Sequence, residues 1–283
     1  MTELQFLLTI NCSIWRRIIV YIRERLKSPK VYIGIVIGTI IVLSHFISDY
    51  FVIKPQLDGN VTFFTPYTRW IGYDTDAMTT FYYILLPLLA CLTANQLFYQ
   101  DLKSGFIKHA VKEQGVAKYS LSHLVISFLA GFLTVAVPLL LDFVFYYCTL
   151  PNMKPDPVLN MSTAVMSDLT YLAGLYYSNP LLHVAFYLFL AGLAGGLAAT
   201  ISLAVTCFIS NYFTDVAMAF LLSLIFNAFS AATTSALFSP NLLVIPVCPL
   251  YIPSLAVALS ELLLGTLLFS LIYFYGVRRH VFS

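Results

Sequence analysis

The stretch Tyr119 to Cys148 reads YSLSHLVISFLAGFLTVAVPLLLDFVFYYC, and Asp142 is its one formally charged side chain. A helix rises ~1.5 Å per residue and the hydrocarbon layer of a bilayer is ~30 Å thick, so this stretch spans a membrane with turns to spare. Five more runs share its character: Val31 to Ile53, Thr79 to Phe98, Pro180 to Ile209, Val216 to Phe238 and Ser254 to Gly276. A chain of 283 residues that is 60% hydrophobic and 10% charged has no means of covering an ordinary soluble surface. The reading is an all-α polytopic membrane protein with six transmembrane helices. Residues 1–283 form one transmembrane domain: 1–30 a cytoplasmic amphipathic helix, 31–276 the six-helix membrane part, 277–283 a cytoplasmic tail.

Basic residues set the orientation. Arg16, Arg17, Arg23, Arg25, Lys27 and Lys30 precede the first span, Lys103, Lys108, Lys112 and Lys118 lie between spans two and three, and Arg278 and Arg279 follow the sixth. Lys54, Arg69 and Lys154 fall on the other side. The positive-inside rule then puts both termini in the cytoplasm of a cell whose plasma membrane the chain crosses. Asp49, Asp58, Asp74, Asp76, Asp156 and Asp168 gather on the outer side or its boundary. No cleavable signal peptide is expected, because Trp15, Arg16 and Arg17 interrupt the place its apolar core would occupy.

The pieces outside the spans differ in kind. From Cys12 to Pro29, Ile14, Trp15, Ile18, Ile19, Ile22 and Leu26 recur three and four apart, with Arg16, Arg17 and Arg23 mainly on the remaining circumference. That pattern reads as a helix lying along the inner headgroups, the simpler alternative being a basic anchor for span one. The inner loop Tyr99 to Lys118 is short, mixed in charge and bounded by Gly105 and Gly115. Its periodic apolar residues Leu102, Phe106, Ile107 and Val111 favour a docking helix over a merely solvated loop. The outer loops Lys54 to Met78 and Leu150 to Asn179 are rich in aromatics and read as small caps on the membrane surface. Pro240, Pro246, Pro249 and Pro253 break an apolar run before span six, which reads as a re-entrant or interfacial element with its backbone covered by protein or facing a wet cavity. Gly192, Gly195 and Gly196 give span four a small-residue face for close packing, and Pro87 and Pro138 fall inside spans two and three.

Chemistry is sparse. The chain has no phosphate-binding loop ending in Lys-Ser or Lys-Thr, no HExxH and no GxSxG, so no enzyme activity, cofactor or metal is expected of it. Its basic residues follow topology and form no nucleic-acid surface. Cys12, Cys91, Cys148, Cys207 and Cys248 are scattered and read as small apolar fillers, with a Cys148–Cys248 disulfide as an outer-face alternative. Two acids stand in the outer half of the spans, Asp142 and Glu261. Charge there faces a bundle interior or water, which suits a substrate path or outer gate. Otherwise Asp142 sits at the interface and Glu261 is protonated or paired with hydroxyls. His45, His123 and His183 read as isolated interfacial or hydrogen-bonded core residues.

Six spans without a nucleotide site or an evident ion relay suit transport driven by a separate motor. The arrangement resembles the permease subunit of type-2 ABC exporters over essentially the whole chain. The amphipathic segment 12–29, the inner loop at about Asp101 to Val116 and the broken outer element at about Pro240 to Pro253 carry that resemblance. Asp101-Leu-Lys-Ser-Gly-Phe-Ile-Lys108 followed by Gly115-Val-Ala-Lys-Tyr119 is similar to permeases of bacterial peptide and bacteriocin export or immunity systems. The resemblance implies a separate ATP-binding subunit, a second permease (identical or paralogous) and an amphipathic peptide or hydrophobic compound as cargo. It makes Asp101, Lys103, Phe106, Ile107 and Lys108 the ATPase-coupling residues. A membrane scaffold that moves nothing, and a secondary transporter or channel, are the competing readings.

Overall fold

The computed structural model describes residues 29–57, 64–73, 76–105, 107, 111–112, 115–156, 158, 165, 168–209 and 211–282. The amphipathic segment with Trp15, Arg16, Arg17 and Arg23 lies outside them. Six long helices carry the fold: α1 (Ile33–Ile53), α2 (Ala77–Lys103), α3 (Val116–Thr149), α4 (Pro180–Thr206), α5 (Tyr212–Thr233) and α6 (Leu255–Phe282). Five stretches, Ile33–Gln56, Val116–Thr149, Pro180–Thr206, Phe213–Thr233 and Leu255–Arg279, are long and apolar enough to cross a membrane. In α2 the apolar part is the shorter Ala77–Thr93. The chain is therefore an all-helical multi-pass membrane protein.

Helix α4 is the axis of the bundle, packed against α2, α3, α5 and α6, and most of its apolar stretch is buried within the protein. Its small residues make that possible. A Cβ built on Gly195 would stand 2.6 Å from the carbonyl oxygen of Gly131 on α3, and one on Gly131 would stand 2.5 Å from that of Gly195. The two backbones thus touch, an approach that only small residues permit. Helices α1 and α6 lie on the periphery and show lipid Val36, Ile40 and Phe51, and Leu264, Leu267 and Leu271.

Helix ends follow local chemistry. Pro180 opens α4 at its first turn, where its missing N–H costs nothing. Helix α5 stops at Thr233, short of the Phe238 that its apolar run suggests, because Thr234 turns left-handed (φ 52°) and Ser235 bridges to Tyr251. Helix α3 runs on to Thr149, which makes it roughly 50 Å long and carries its outer end past the hydrocarbon.

The outer loops form one cap. Trp70, Ile71, Tyr67, Tyr171 and Tyr176 are buried in protein, so these aromatics fill the space between helix ends instead of lying on the membrane surface. The segment between Phe238 and Leu255 is a chain of turns with Leu243, Val244 and Cys248 buried, and it contains no helix. Its backbone is paired to the other loops: Val247 N–H donates to Gly72 O (3.2 Å), Cys248 N–H to Leu169 O (3.0 Å) and Tyr251 N–H to Thr234 O (3.2 Å). Cys148 and Cys248 are free thiols, the first exposed and the second buried, so the disulfide alternative falls away.

Candidate functional site

Asp142 is the centre of the outer half. The continuation of α3 to Thr149 and the cap above it bury this carboxylate completely within the protein. One carboxylate oxygen accepts the backbone N–H of Ile71 in the cap at 2.6 Å. The other stands 3.3 Å from Nδ1 of His45 on α1. That contact makes Nδ1 the donor, so His45 Nε2 faces Asp76 Oδ2 across 4.0 Å. His45 is thus not isolated. It lies one helical turn from Asp49, which accepts a hydrogen bond from the Tyr146 hydroxyl (2.8 Å) and pairs with Arg69 of the cap (3.5 Å).

Each partner comes from a different element. Arg69 ends a one-turn helix, Pro66–Arg69, closed by a capping box between Thr65 and Thr68, and its guanidinium lies 5.0 Å over the Phe64 ring. Asp76 accepts the Thr79 N–H (2.8 Å) near the start of α2. Asp142 and His45 are the fully buried centre of a polar cluster in which Asp49, Arg69 and Asp76 are partly exposed. Removing Asp142 would strand its buried neighbours without water, so the Asp142–His45 pair latches the cap to α1 and α3.

A second polar set holds the other side of the cap. His183 Nε2 donates to Tyr171 O (2.8 Å), which leaves Nδ1 to accept the Tyr73 hydroxyl proton (2.6 Å). The Tyr187 hydroxyl accepts from Tyr171 N–H (2.7 Å) and lies 2.9 Å from Thr170 Oγ1. Burial, then the nearby Tyr176 and Tyr187, push the Tyr73 phenol well above its ordinary range.

No protein-family model, curated protein or solved structure matches this chain. What it does must be read from its own geometry. Glu261, the other acid singled out in the sequence, is half-buried on α6, and none of the contacts that join Asp142, His45, Asp49, Arg69 and Asp76 reaches it. Among the described residues no hydroxyl pairs with it.

At the end of the bundle away from the cap, Ile107 and Val111 of the loop between α2 and α3 are buried against Tyr119, Leu203, Cys207, Tyr273 and Val277. They seat the loop on those ends of α3, α4 and α6, while Lys103 and Lys112 remain exposed. Phe106 and Lys108 lie outside the described residues, as does the side chain of Asp101. The residues that sequence reasoning missed are His45, Asp49, Tyr146 and Arg69. The spacing of His45 and Asp49, four apart on one helix, was the available local signal.

Proposed function

We propose that this chain is the permease subunit of an ATP-driven exporter, with α2 as a sixth span, both termini cytoplasmic and residues 240–253 as an outer re-entrant cap. One observation carries the reading: the inner loop is anchored by Ile107 and Val111 into three membrane helices while Lys103 and Lys112 are exposed. A partner pushing on such a loop moves α3, α4 and α6 as a unit, because packed interiors transmit displacement without absorbing it. The buried latch under the cap supplies the opposing outer closure. Cargo of amphipathic peptide or hydrophobic character would enter from the inner leaflet or cytoplasm, and fuel would be burned on the separate ATP-binding subunit, with a second permease completing the path through the bilayer.

The test is co-expression with an ATP-binding subunit encoded in the adjacent reading frame, followed by pull-down in detergent. Retention of the ATPase that depends on residues 101–116 supports the reading. Retention unaffected by their deletion removes it.

The buried Asp142–His45 pair favours one other reading, a secondary transporter driven by an ion gradient. Flux through reconstituted protein that survives Asp142→Asn together with Glu261→Gln eliminates that option.

A further inference from the structure

A groove of about 990 Å³ opens in the cap between residues 168–174 and residues 249–255. Its size is that of a site for a drug-sized molecule. Tyr251 on one wall is exposed, and Pro253 and Ser254 lead from it into α6. On the other wall Leu172 is held in a left-handed conformation (φ 56°), a strain that non-glycine residues adopt where the surroundings demand it. Tyr171, 5% exposed, lines the same groove, and its hydroxyl has no hydrogen-bond partner among the described residues. A buried hydroxyl left without a partner is costly, and its oxygen presents lone pairs that a positive charge on a ligand can face.

The charge of the groove has one sign. Asp168 lines its exposed rim, and no lysine or arginine lines it. Glu261 lies seven residues after Ser254, two helical turns below on the same face of α6. It is near enough to Tyr171 to add to the upward push that burial gives that phenol. Neither Asp168 nor Glu261 has an ion pair among the described residues. Aromatic walls, an acid on the rim and a second acid in α6 beneath the lining, neither with an ion pair among the described residues, suit a particular chemistry: positive charge on an apolar frame.

We infer that this groove binds an apolar organic cation, held between Tyr171 and Tyr251 with its charge shared by Asp168 and Glu261. As the outer station of a transport path it rests on the permease reading, but binding itself needs no motor. The experiment therefore uses the purified full chain in detergent without any ATPase, and measures equilibrium binding of radiolabelled tetraphenylphosphonium against empty micelles. Saturable binding is expected, undisturbed by tetraphenylmethane, which has the same shape, no net charge and no hydrogen-bonding atom. Asp168→Asn and Glu261→Gln should each weaken it by about threefold to fivefold, the range of a partly exposed ion pair. Absence of saturable binding, or equal affinity in both variants and the parent, overturns the inference. Asp168 is at the surface, so its variant decides the matter even if Glu261→Gln fails to fold; elution as a single species on size exclusion is the check. A negative result here leaves the pull-down with the ATPase subunit untouched, and the converse also holds.

Discussion

Asp142 accepts the backbone N–H of Ile71 at 2.6 Å, and that bond fastens the outer cap to the middle of the bundle. The two residues are 71 positions apart, and neither has water to fall back on. Replacing Asp142 by Ala strands both the Ile71 N–H and His45 Nδ1. The expected loss is about 3 kcal/mol, the usual cost of breaking a buried charged pair from one side. Asp142→Asn retains an acceptor for Ile71 and should lose less. Thermal melting in detergent ranks the two, and hydrogen exchange at the Ile71 amide localises the effect. An Ala variant that melts with the parent would show that the cap is held by something else.

Cys148 at the outer end of α3 is exposed, whereas Cys91, Cys207 and Cys248 are buried. Burial also pushes the Cys248 thiol up, which lowers the thiolate available for reaction. If both termini are inside, as proposed, a membrane-impermeant maleimide added to intact cells should label Cys148 and leave Cys248 unlabelled until the protein is denatured. Labelling of Cys148 only after the membrane is opened would invert the topology.

Hydropathy made the helices legible and left the cap obscure, for a physical reason. The positions of α1, α3, α4 and α6 follow from uninterrupted apolar length, and Pro180 marked the start of α4. The end of α5 did not follow, because the bridge from Ser235 to Tyr251 overrides an apolar run that continues to Phe238. The Asp142–His45 pair spans 97 residues, and no local pattern carries that information. Trp70 and Tyr176 looked like membrane-surface aromatics because composition cannot distinguish a lipid headgroup layer from a protein interior when both accept an amphipathic ring.

Gly131 and Gly195 face one another across the α3–α4 contact, and a methyl group at either meets backbone at 2.5 or 2.6 Å. Backbone cannot rotate away as a side chain can. Gly131→Ala should cost about 2 kcal/mol by forcing the helices apart. Gly174→Ala, where a Cβ meets nothing within 4 Å, should change stability by less than about 0.5 kcal/mol. Comparable melting of the two variants would contradict the close approach.

The cap phenols set an alkaline limit. Tyr73, Tyr171 and Tyr176 all have their ionisation pushed up from the ordinary value of 10.0, in each case by burial first. Above about pH 10 the unfolded chain gives up protons that the folded cap retains, so the folded state binds more protons and stability must fall as pH rises. Below that value the contribution is fully present. The share of the phenolate absorbance that belongs to these buried phenols should therefore appear only together with loss of near-ultraviolet circular dichroism, in one cooperative step. Complete phenolate absorbance reached with the dichroism intact would mean the cap is open to water.

The inner loop offers a separation that a solvated loop would not show. Ile107 and Val111 are buried among helix ends, whereas Lys103 and Lys112 are exposed on the same short element. Ile107→Asp removes an apolar anchor worth about 2 kcal/mol and places a charge where none is solvated. It should lower the melting temperature and abolish retention of the ATP-binding subunit together. Lys103→Glu and Lys112→Glu touch no packed surface, so melting should remain within about 0.5 kcal/mol of the parent. If the loop is the contact for the motor, however, the reversed charges should weaken retention several-fold and more so at low salt, because screening diminishes exposed charges. Retention that follows stability alone, lost in the isoleucine variant and unchanged in both lysine variants, would mean that the loop holds the bundle together and that the motor docks elsewhere.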